Sequence, residues 1–268
     1  MKVAGSKVLL TGATGGLGAA IARALHARGA QLVLTGRRTD VLAPLADELG
    51  GAQAIAADLA KRADVERLAG EAPDVDILVA NAALPATGHV LELSQSQIDT
   101  MLEVNLNAPI ALARALAPAM VARGHGHIVL MSSLSGKVAA PASSIYSATK
   151  FGLRGFAHGA RADLRGTGVG VSVIMPGFVR DAGMFADAGI KLPPGVGTSS
   201  PEQVADAVIS AIERNRGEVA VAPLGVRIGA SVAAVVPDVA AAAQRRMGGA
   251  KVAEHMSARQ VDKRPDGG

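Results

Sequence analysis

"KVLLTGATGGLG", Lys7 to Gly18, is the stretch that decides how the rest of the chain is read. Its apolar part, Val8–Leu10, is too short for a membrane span or a signal-peptide core and reads as a first β-strand. A glycine-rich turn, Thr11 to Gly18, follows at once. Gly12, Gly16 and Gly18 suit a tight turn, close approach of backbone to a pyrophosphate, and close packing of helix on strand. Thr14, Gly15 and Leu17 complete that turn, and the helix it opens brings amide donors and a positive dipole end to a bound phosphate. An ordinary strand-to-helix turn also uses glycines, but the position between the first strand and the first helix favours a nucleotide.

Outward from this turn the same alternation repeats. Short apolar runs at Lys7–Leu10, Gln31–Leu34, Ala52–Ala56, Asp76–Ala80, His127–Met131, Val169–Met175 and Val219–Ala222 have no polar alternation, as expected for parallel strands covered on both faces. Amphipathic stretches lie between them, near Gly16–Arg28, Thr39–Leu49, Ala63–Ala72, Ser94–Arg123, Ser144–Arg165 and Pro201–Asn215. The last opens with Ser200 as N-cap, Pro201 in the first turn and Gln203 placed to close a capping box. Seven strands separated by helices predict a Rossmann-type, doubly wound α/β sheet of about seven parallel strands, with helices on both faces. No repeat or linker divides the chain. A single domain is expected over 1–248, followed by a polar, flexible tail over 249–268.

Composition narrows the function. Of 268 residues 49% are hydrophobic and 19% charged, which argues for a large core and against disorder. Net charge is +4 without a run of like charges, and aromatics are only 2%, so nucleic acid is not expected as a partner. Absence of cysteine removes disulfides and thiolate sites and suits a cytoplasmic setting. The six histidines show no metal-ligand spacing; His125 and His127 in "GHGH" read as turn residues, and no metal is expected.

The second strand ends in "TGRR", with Arg37 and Arg38 where an acidic residue would meet an adenosine 2′-hydroxyl. Paired guanidiniums suit a 2′-phosphate, so NADP(H) is expected over NAD(H). Further on, "YSATK" holds the only tyrosine, Tyr146, and Lys150 one turn later. On a helix the i, i+4 spacing sets both on one face. A nearby ammonium favours the phenolate; moving the phenol from ~10 to ~7 takes roughly 4 kcal/mol. A tuned phenol can move the proton that accompanies hydride transfer to a carbonyl. Ser133, just after "HIVLMS", stands where parallel sheets bind ligands, and its hydroxyl can hold a substrate oxygen.

These motifs, with "DL" at Asp58–Leu59, "NAA" at Asn81–Ala83, Asn105 in "VNLNAP" and "PGFV" at Pro176–Val179, resemble the short-chain dehydrogenase/reductase family, in the family's order from residue 11 to about 180. The resemblance implies Tyr146 as general acid/base, Lys150 on the nicotinamide ribose and lowering the phenol's pKa, and Ser133 orienting the carbonyl. It also implies adenine contacts at Asp58 and Leu59, support of the cofactor by Asn81, Ala82 and Ala83, and nicotinamide contacts at Pro176, Gly177 and Val179. Asn105 would hold a water in a proton relay from Lys150. Pro109 lacks the N–H that bonds a carbonyl four residues earlier, which predicts a kink that frees the Asn105 carbonyl. Asp181 stands where many relatives carry threonine, which places the usual contact to the nicotinamide carboxamide in doubt.

The stretch 178–200 is expected to be a flexible lid over the substrate. Phe178, Met184, Phe185, Ile190 and Leu192 make it apolar and point to a hydrophobic alcohol, ketone or aldehyde. In 224–247, Leu224, Ile228, Val232, Val236 and Val239 recur at helical spacing near Arg227, Arg245 and Arg246. That helix is expected to close the pocket or pack on a sister subunit, with a membrane-surface role as the alternative. A homodimer or homotetramer follows from the resemblance. The rival functions are an NAD-dependent hydroxyacyl or hydroxysteroid dehydrogenase, and a non-catalytic NADP sensor.

Overall fold

Leu9 and its neighbours Val8 and Leu10 point to opposite faces of one strand, yet all three are fully buried. That requires cover on both faces, and the rest of the architecture supplies it. The computed structural model describes residues 1–268 apart from 86, 191, 193–195, 237, 239–253, 256 and 262–268. Val239, Arg245, Arg246 and the last residues of the expected tail therefore lie outside the described residues.

In chain order the elements are β1 (Lys7–Thr11), α1 (Gly16–Ala27), β2 (Gln31–Gly36), α2 (Thr39–Glu48), β3 (Gln53–Ala56), α3 (Arg62–Glu71) and β4 (Ile77–Ala80). There follow α4 (Gln95–Leu102), a π-helical turn (Glu103–Asn107), α5 (Ala108–Arg123), β5 (Gly126–Met131), a 3-10 turn (Leu134–Gly136) and α6 (Ser144–Asp163). The chain continues through β6 (Val169–Pro176), α7 (Gly183–Ala188), α8 (Pro201–Glu213), β7 (Glu218–Val221) and α9 (Leu224–Val235).

The seven strands form one parallel sheet in the order β3-β2-β1-β4-β5-β6-β7. Val8, Leu10, Leu34, Val79 and Ile174 face one layer, where they meet Ile21 and Leu25 of α1, Leu42 and Leu45 of α2, and Val204, Val208 and Ile212 of α8. Leu9, Val33, Leu78, Leu130 and Val173 face the other, against Leu68 of α3, Leu112, Leu116 and Met120 of α5, and Ala157 of α6. Each fully buried leucine contributes about 1.5–3 kcal/mol to this sandwich.

The strand order reverses between β1 and β4, and ligands of such sheets bind beyond the strand C-termini at that switch point. Two capping boxes fix the helices that flank it: Ser200 with Gln203 at α8, as expected, and Ser94 with Gln97 at α4. The 29-residue run Gln95–Arg123 is apolar and long enough to cross a bilayer, but Met101, Leu112, Leu116 and Met120 are buried in the domain, which marks a core helix.

The sequence predicted one kinked helix over Ser94–Arg123. Instead, the chain takes a π-helical turn in which the Ala108 N–H bonds the Glu103 carbonyl five residues earlier. The wider turn accommodates Pro109, which cannot donate, without breaking the helix. The segment 178–200, expected without helix, forms α7 in its middle. Of the stretch expected to be a loose tail, two described residues are otherwise: Ser257 and Gln260 are buried.

Candidate active site

A single cavity of about 1800 Å³ opens at the switch point. Pockets for one small ligand run to roughly 300–1,000 Å³, so this cleft has room for a dinucleotide and a second molecule together.

Its floor is the glycine turn. Gly12 sits at φ +68°, and a Cβ there would meet the Ala82 Cα at 2.7 Å. A methyl on Gly18 would collide with the Gly12 carbonyl, so α1 can close onto the turn only without a side chain at that position. Asn81 and Ala82 brace the turn from β4: both backbone N–H groups donate to the Thr11 hydroxyl at 3.0 Å, and the Asn81 amide donates to the Thr11 carbonyl at 3.1 Å. No side chain caps α1 and no acid stands in its first turn. Its N-terminal amides and dipole therefore face the cleft unopposed, as an anionic phosphate requires.

Thr14, Gly15, Gly16, Leu17, Arg37, Arg38, Asp58, Leu59 and Ala83 all line the same cavity, as do Pro176, Gly177 and Val179 across the sheet. The two arginines differ. The Arg38 guanidinium donates to the Thr14 carbonyl and so ties the turn after β2 to the glycine turn. Arg37 is exposed at the mouth and has no hydrogen bond or ion pair among the described residues. Thr35, buried beside them on the cavity wall, has a hydroxyl without a partner. A glycine cradle, an uncapped helix end and a free cation fit a phosphate-rich dinucleotide.

The other end of the cleft holds the polar cluster. Lys150, 2% exposed, donates its ammonium to the Met131 carbonyl at 2.8 Å. Ser132 Oγ donates to the Lys150 carbonyl at 2.8 Å, which pins α6 to the end of β5. Gly136 lets the 3-10 turn press on the same carbonyl; a Cβ there would lie 2.7 Å from it. Tyr146 is half-buried one turn before the lysine, with its ring 5.5 Å from the ammonium.

Burial pushes the Tyr146 phenol above its ordinary value, and only its hydrogen bond with Ser133 pulls the other way. Burial also lowers Lys150 to about 8. The lysine-driven fall expected for the phenol is therefore absent here. The ammonium stands over the ring, its hydrogen bond goes to a backbone carbonyl, and burial wins. At neutral pH the cluster holds a protonated phenol above a mostly charged lysine.

Asn105 is fully buried, and its side chain is spent on Leu84: Oδ1 accepts from the Leu84 N–H at 2.7 Å, and Nδ2 donates to the Leu84 carbonyl at 2.9 Å. It bonds neither Tyr146 nor Lys150. It braces the loop after β4, whose Ala83, Leu84 and Thr87 line the cleft. Asp181 does not line the cavity. At φ +65° its carboxylate projects outward, 3.3 Å from Arg180, and Ala182 and Gly183 take the place at the cleft.

The substrate end is apolar. The Phe178 and Phe185 rings meet at a tilt of 55° with centroids 5.0 Å apart, and Met184, Leu192, Val226, Ala230 and Ala233 continue the wall. α9 thus lines the cavity, Val232 included, while Leu224, Ile228 and Val235 leave an apolar stripe exposed. Met131, Ser132, Gly136, Thr87 and Gln260 belong to the site or its support but had not been read from the sequence; only the small residues of "SSLSG" carried a hint, in needing close approach.

His127, expected in a turn, lies instead within β5. His127 is buried, bonds the Ser172 hydroxyl at 2.7 Å, and is lowered by burial to about 3, so it stays neutral. Among the described residues no group of three or more His, Asp or Glu is placed to hold a metal.

Comparison with known proteins agrees with this geometry. A family model described as short chain dehydrogenase matches residues 6–191, more than half of the chain. Ketoacyl reductase HetN of Nostoc sp. is 38% identical over 225 residues, which cover 81% of this chain and 78% of the relative. A serine dehydrogenase solved in closed form with NADP⁺ superimposes with a TM-score of 0.74 at 32% identity, over 82% of this chain and 95% of that one. A short-chain dehydrogenase from Sphingobium yanoikuyae in complex with NADPH gives 0.72 at 30% identity, over 91% and 95%.

Proposed function

The chain belongs to the short-chain dehydrogenases and is an NAD(P)-dependent oxidoreductase; on that premise we propose that it is an NADP-dependent reductase of apolar ketones or aldehydes. One observation carries the reading. The protonated Tyr146 phenol, beside Ser133 and backed by Lys150, opens at the apolar end of a cleft whose other end is a phosphate cradle with a free Arg37.

A dinucleotide held by the glycine turn and Arg37 would supply the hydride to the carbonyl carbon. The Ser133 hydroxyl donates to the substrate carbonyl oxygen and fixes it beside the phenol. As negative charge develops on that oxygen, Tyr146 Oη gives up its proton to it, and an alcohol results. Burial keeps the phenol protonated, as a proton donor to the carbonyl oxygen must be. The Lys150 ammonium steadies the phenolate left behind. Oxidation of an alcohol by the same groups is the reverse, with the phenol first losing its proton.

Arg37 supports NADP(H) over NAD(H), because a free guanidinium at the mouth matches a 2′-phosphate and gains nothing from a hydroxyl. The wall of Phe178, Met184, Phe185, Leu192 and Val226 supports a hydrophobic substrate that carries no charge at its far end. NADP(H)-binding neighbours and a ketoacyl reductase relative point the same way. The apolar stripe exposed on α9 supports self-association as a homodimer or homotetramer.

The test is a panel of aryl, alicyclic and long-chain ketones and aldehydes with NADPH, followed by loss of nicotinamide absorbance. Turnover of the apolar members is expected. Tight NADPH binding with no turnover across the panel contradicts the proposal and favours a sensor.

A further inference from the structure

We propose that Gln260 is a positioning residue, which clasps α7 to the loop after β4 and walls off the far end of the substrate cleft. The inference rests on the reading above for what fills the cleft, but not for the clasp itself.

Gln260 is 1% exposed and lines the cavity. Its carboxamide is used at both ends. Oε1 accepts from the Thr87 hydroxyl at 2.9 Å, and Nε2 donates to the Met184 carbonyl at 2.9 Å. Thr87 lies 173 residues before it and Met184 76 residues before it, so one side chain joins three remote segments. Thr87 is itself buried, as is Ser257 one helical turn before Gln260. A buried amide is costly when left unpaired, so a glutamine here with both groups satisfied is a built bridge.

The element it holds needs holding. α7 has six residues, far below what stands alone in water. It is entered through two residues of positive φ, Asp181 and Gly183, and left through Gly189 at +62°. Its other contacts include the Phe178–Phe185 ring pair and the approach of Ala182 to Gly16, where an added Cβ would come within 2.9 Å. The Met184–Gln260 bond ties the backbone of α7 to the loop after β4 and so holds the apolar wall of the cleft in place.

The experiment compares the full-length wild type with Gln260→Leu, Thr87→Val and the double variant. Amide hydrogen exchange across Gly183–Ala188 is read without substrate, alongside steady-state kinetics on an apolar ketone. Exchange of α7 is expected to quicken about tenfold in Gln260→Leu, which corresponds to about 1.4 kcal/mol, while strands β5 and β6 keep their protection. KM is expected to rise about tenfold with kcat changed less than about twofold and NADPH affinity unchanged. The double variant is expected to match Gln260→Leu alone, since the bond that Thr87→Val removes is one of the two already lost with Gln260. Unchanged exchange in α7, a loss of protection spread evenly over the sheet, or a fall in kcat at constant KM overturns the proposal. If the wild type reduces no carbonyl, the functional reading fails while the exchange result still decides the clasp.

Discussion

Replacing Lys150 by methionine gives the sharpest thermodynamic test of the site. Burial lowers the ammonium from 10.5 to about 8, and at about 1.4 kcal/mol per pH unit the folded state bears about 3 kcal/mol for keeping it charged. Below about pH 8 the group is protonated in both folded and unfolded chains, and the whole cost is present. Between about 8 and 10.5 the folded chain has shed the proton and the unfolded chain has not, so stability rises with pH across that window. Methionine fills similar space without charge. It forfeits the 2.8 Å bond to the Met131 carbonyl, about 1 kcal/mol, which leaves a net gain of about 2 kcal/mol at pH 7. For a domain of this size that raises Tm by roughly 4–8 °C. Urea denaturation of wild type and variant at pH 7 and pH 10 is the assay, because other titrating groups cancel in the difference. The advantage is expected at pH 7 and should shrink or vanish at pH 10. A variant less stable at pH 7, or a difference independent of pH, refutes the claim that burial dominates this lysine. The variant is also expected to lose most of its activity if Lys150 serves the proposed proton transfer, a charge held there at the expense of stability.

Three further outcomes follow from the same geometry. For carbonyl reduction, kcat/KM should be flat near neutrality and fall above an apparent pKa of about 8, as Lys150 loses the charge that steadies the phenolate while the raised phenol stays protonated; a profile that instead rises through this range contradicts the assignment. Arg37→Ala should weaken NADPH binding by roughly 10- to 100-fold, about 1.5–3 kcal/mol, with little effect on NADH, as isothermal titration will show; equal losses for both cofactors remove the 2′-phosphate role. Asn105→Ala strands the Leu84 N–H and carbonyl and should cost about 2–4 kcal/mol in chemical denaturation, whereas Pro109→Ala restores a helical donor and should leave stability nearly unchanged. No change on Asn105→Ala means the loop after β4 is held by other contacts.

The parts of the molecule that local chemistry dictates were legible in the chain. Strands buried on both faces must be apolar throughout, so Val8–Leu10 and Ile77–Ala80 announced a covered parallel sheet. Ser200, Pro201 and Gln203 announced the start of α8 because a capping box is closed by residues three apart. The glycine turn was legible for the same reason: Gly12 and Gly18 are demanded by backbone contacts to their immediate neighbours in space. What depended on long-range balance was not. Pro109 forbids one bond, but that missing donor does not say whether the helix kinks or widens into a π turn. α7 is six residues flanked by positive-φ positions, so its helicity comes from what holds it. Gln260 reads as one more polar residue until Thr87 and Met184 are brought to it. The i, i+4 spacing placed Tyr146 and Lys150 on one face correctly, yet the direction of the phenol's shift turned on burial, which spacing does not encode.

The most direct measurement is NADPH oxidation on one apolar ketone by wild type and Tyr146→Phe, side by side, with NADPH binding titrated for both. The account predicts that kcat falls by at least ~100-fold while the NADPH dissociation constant stays within about twofold, because only the transferable proton is lost. A variant that keeps a rate within about fivefold of wild type would contradict it, and the proton would have to come from another group.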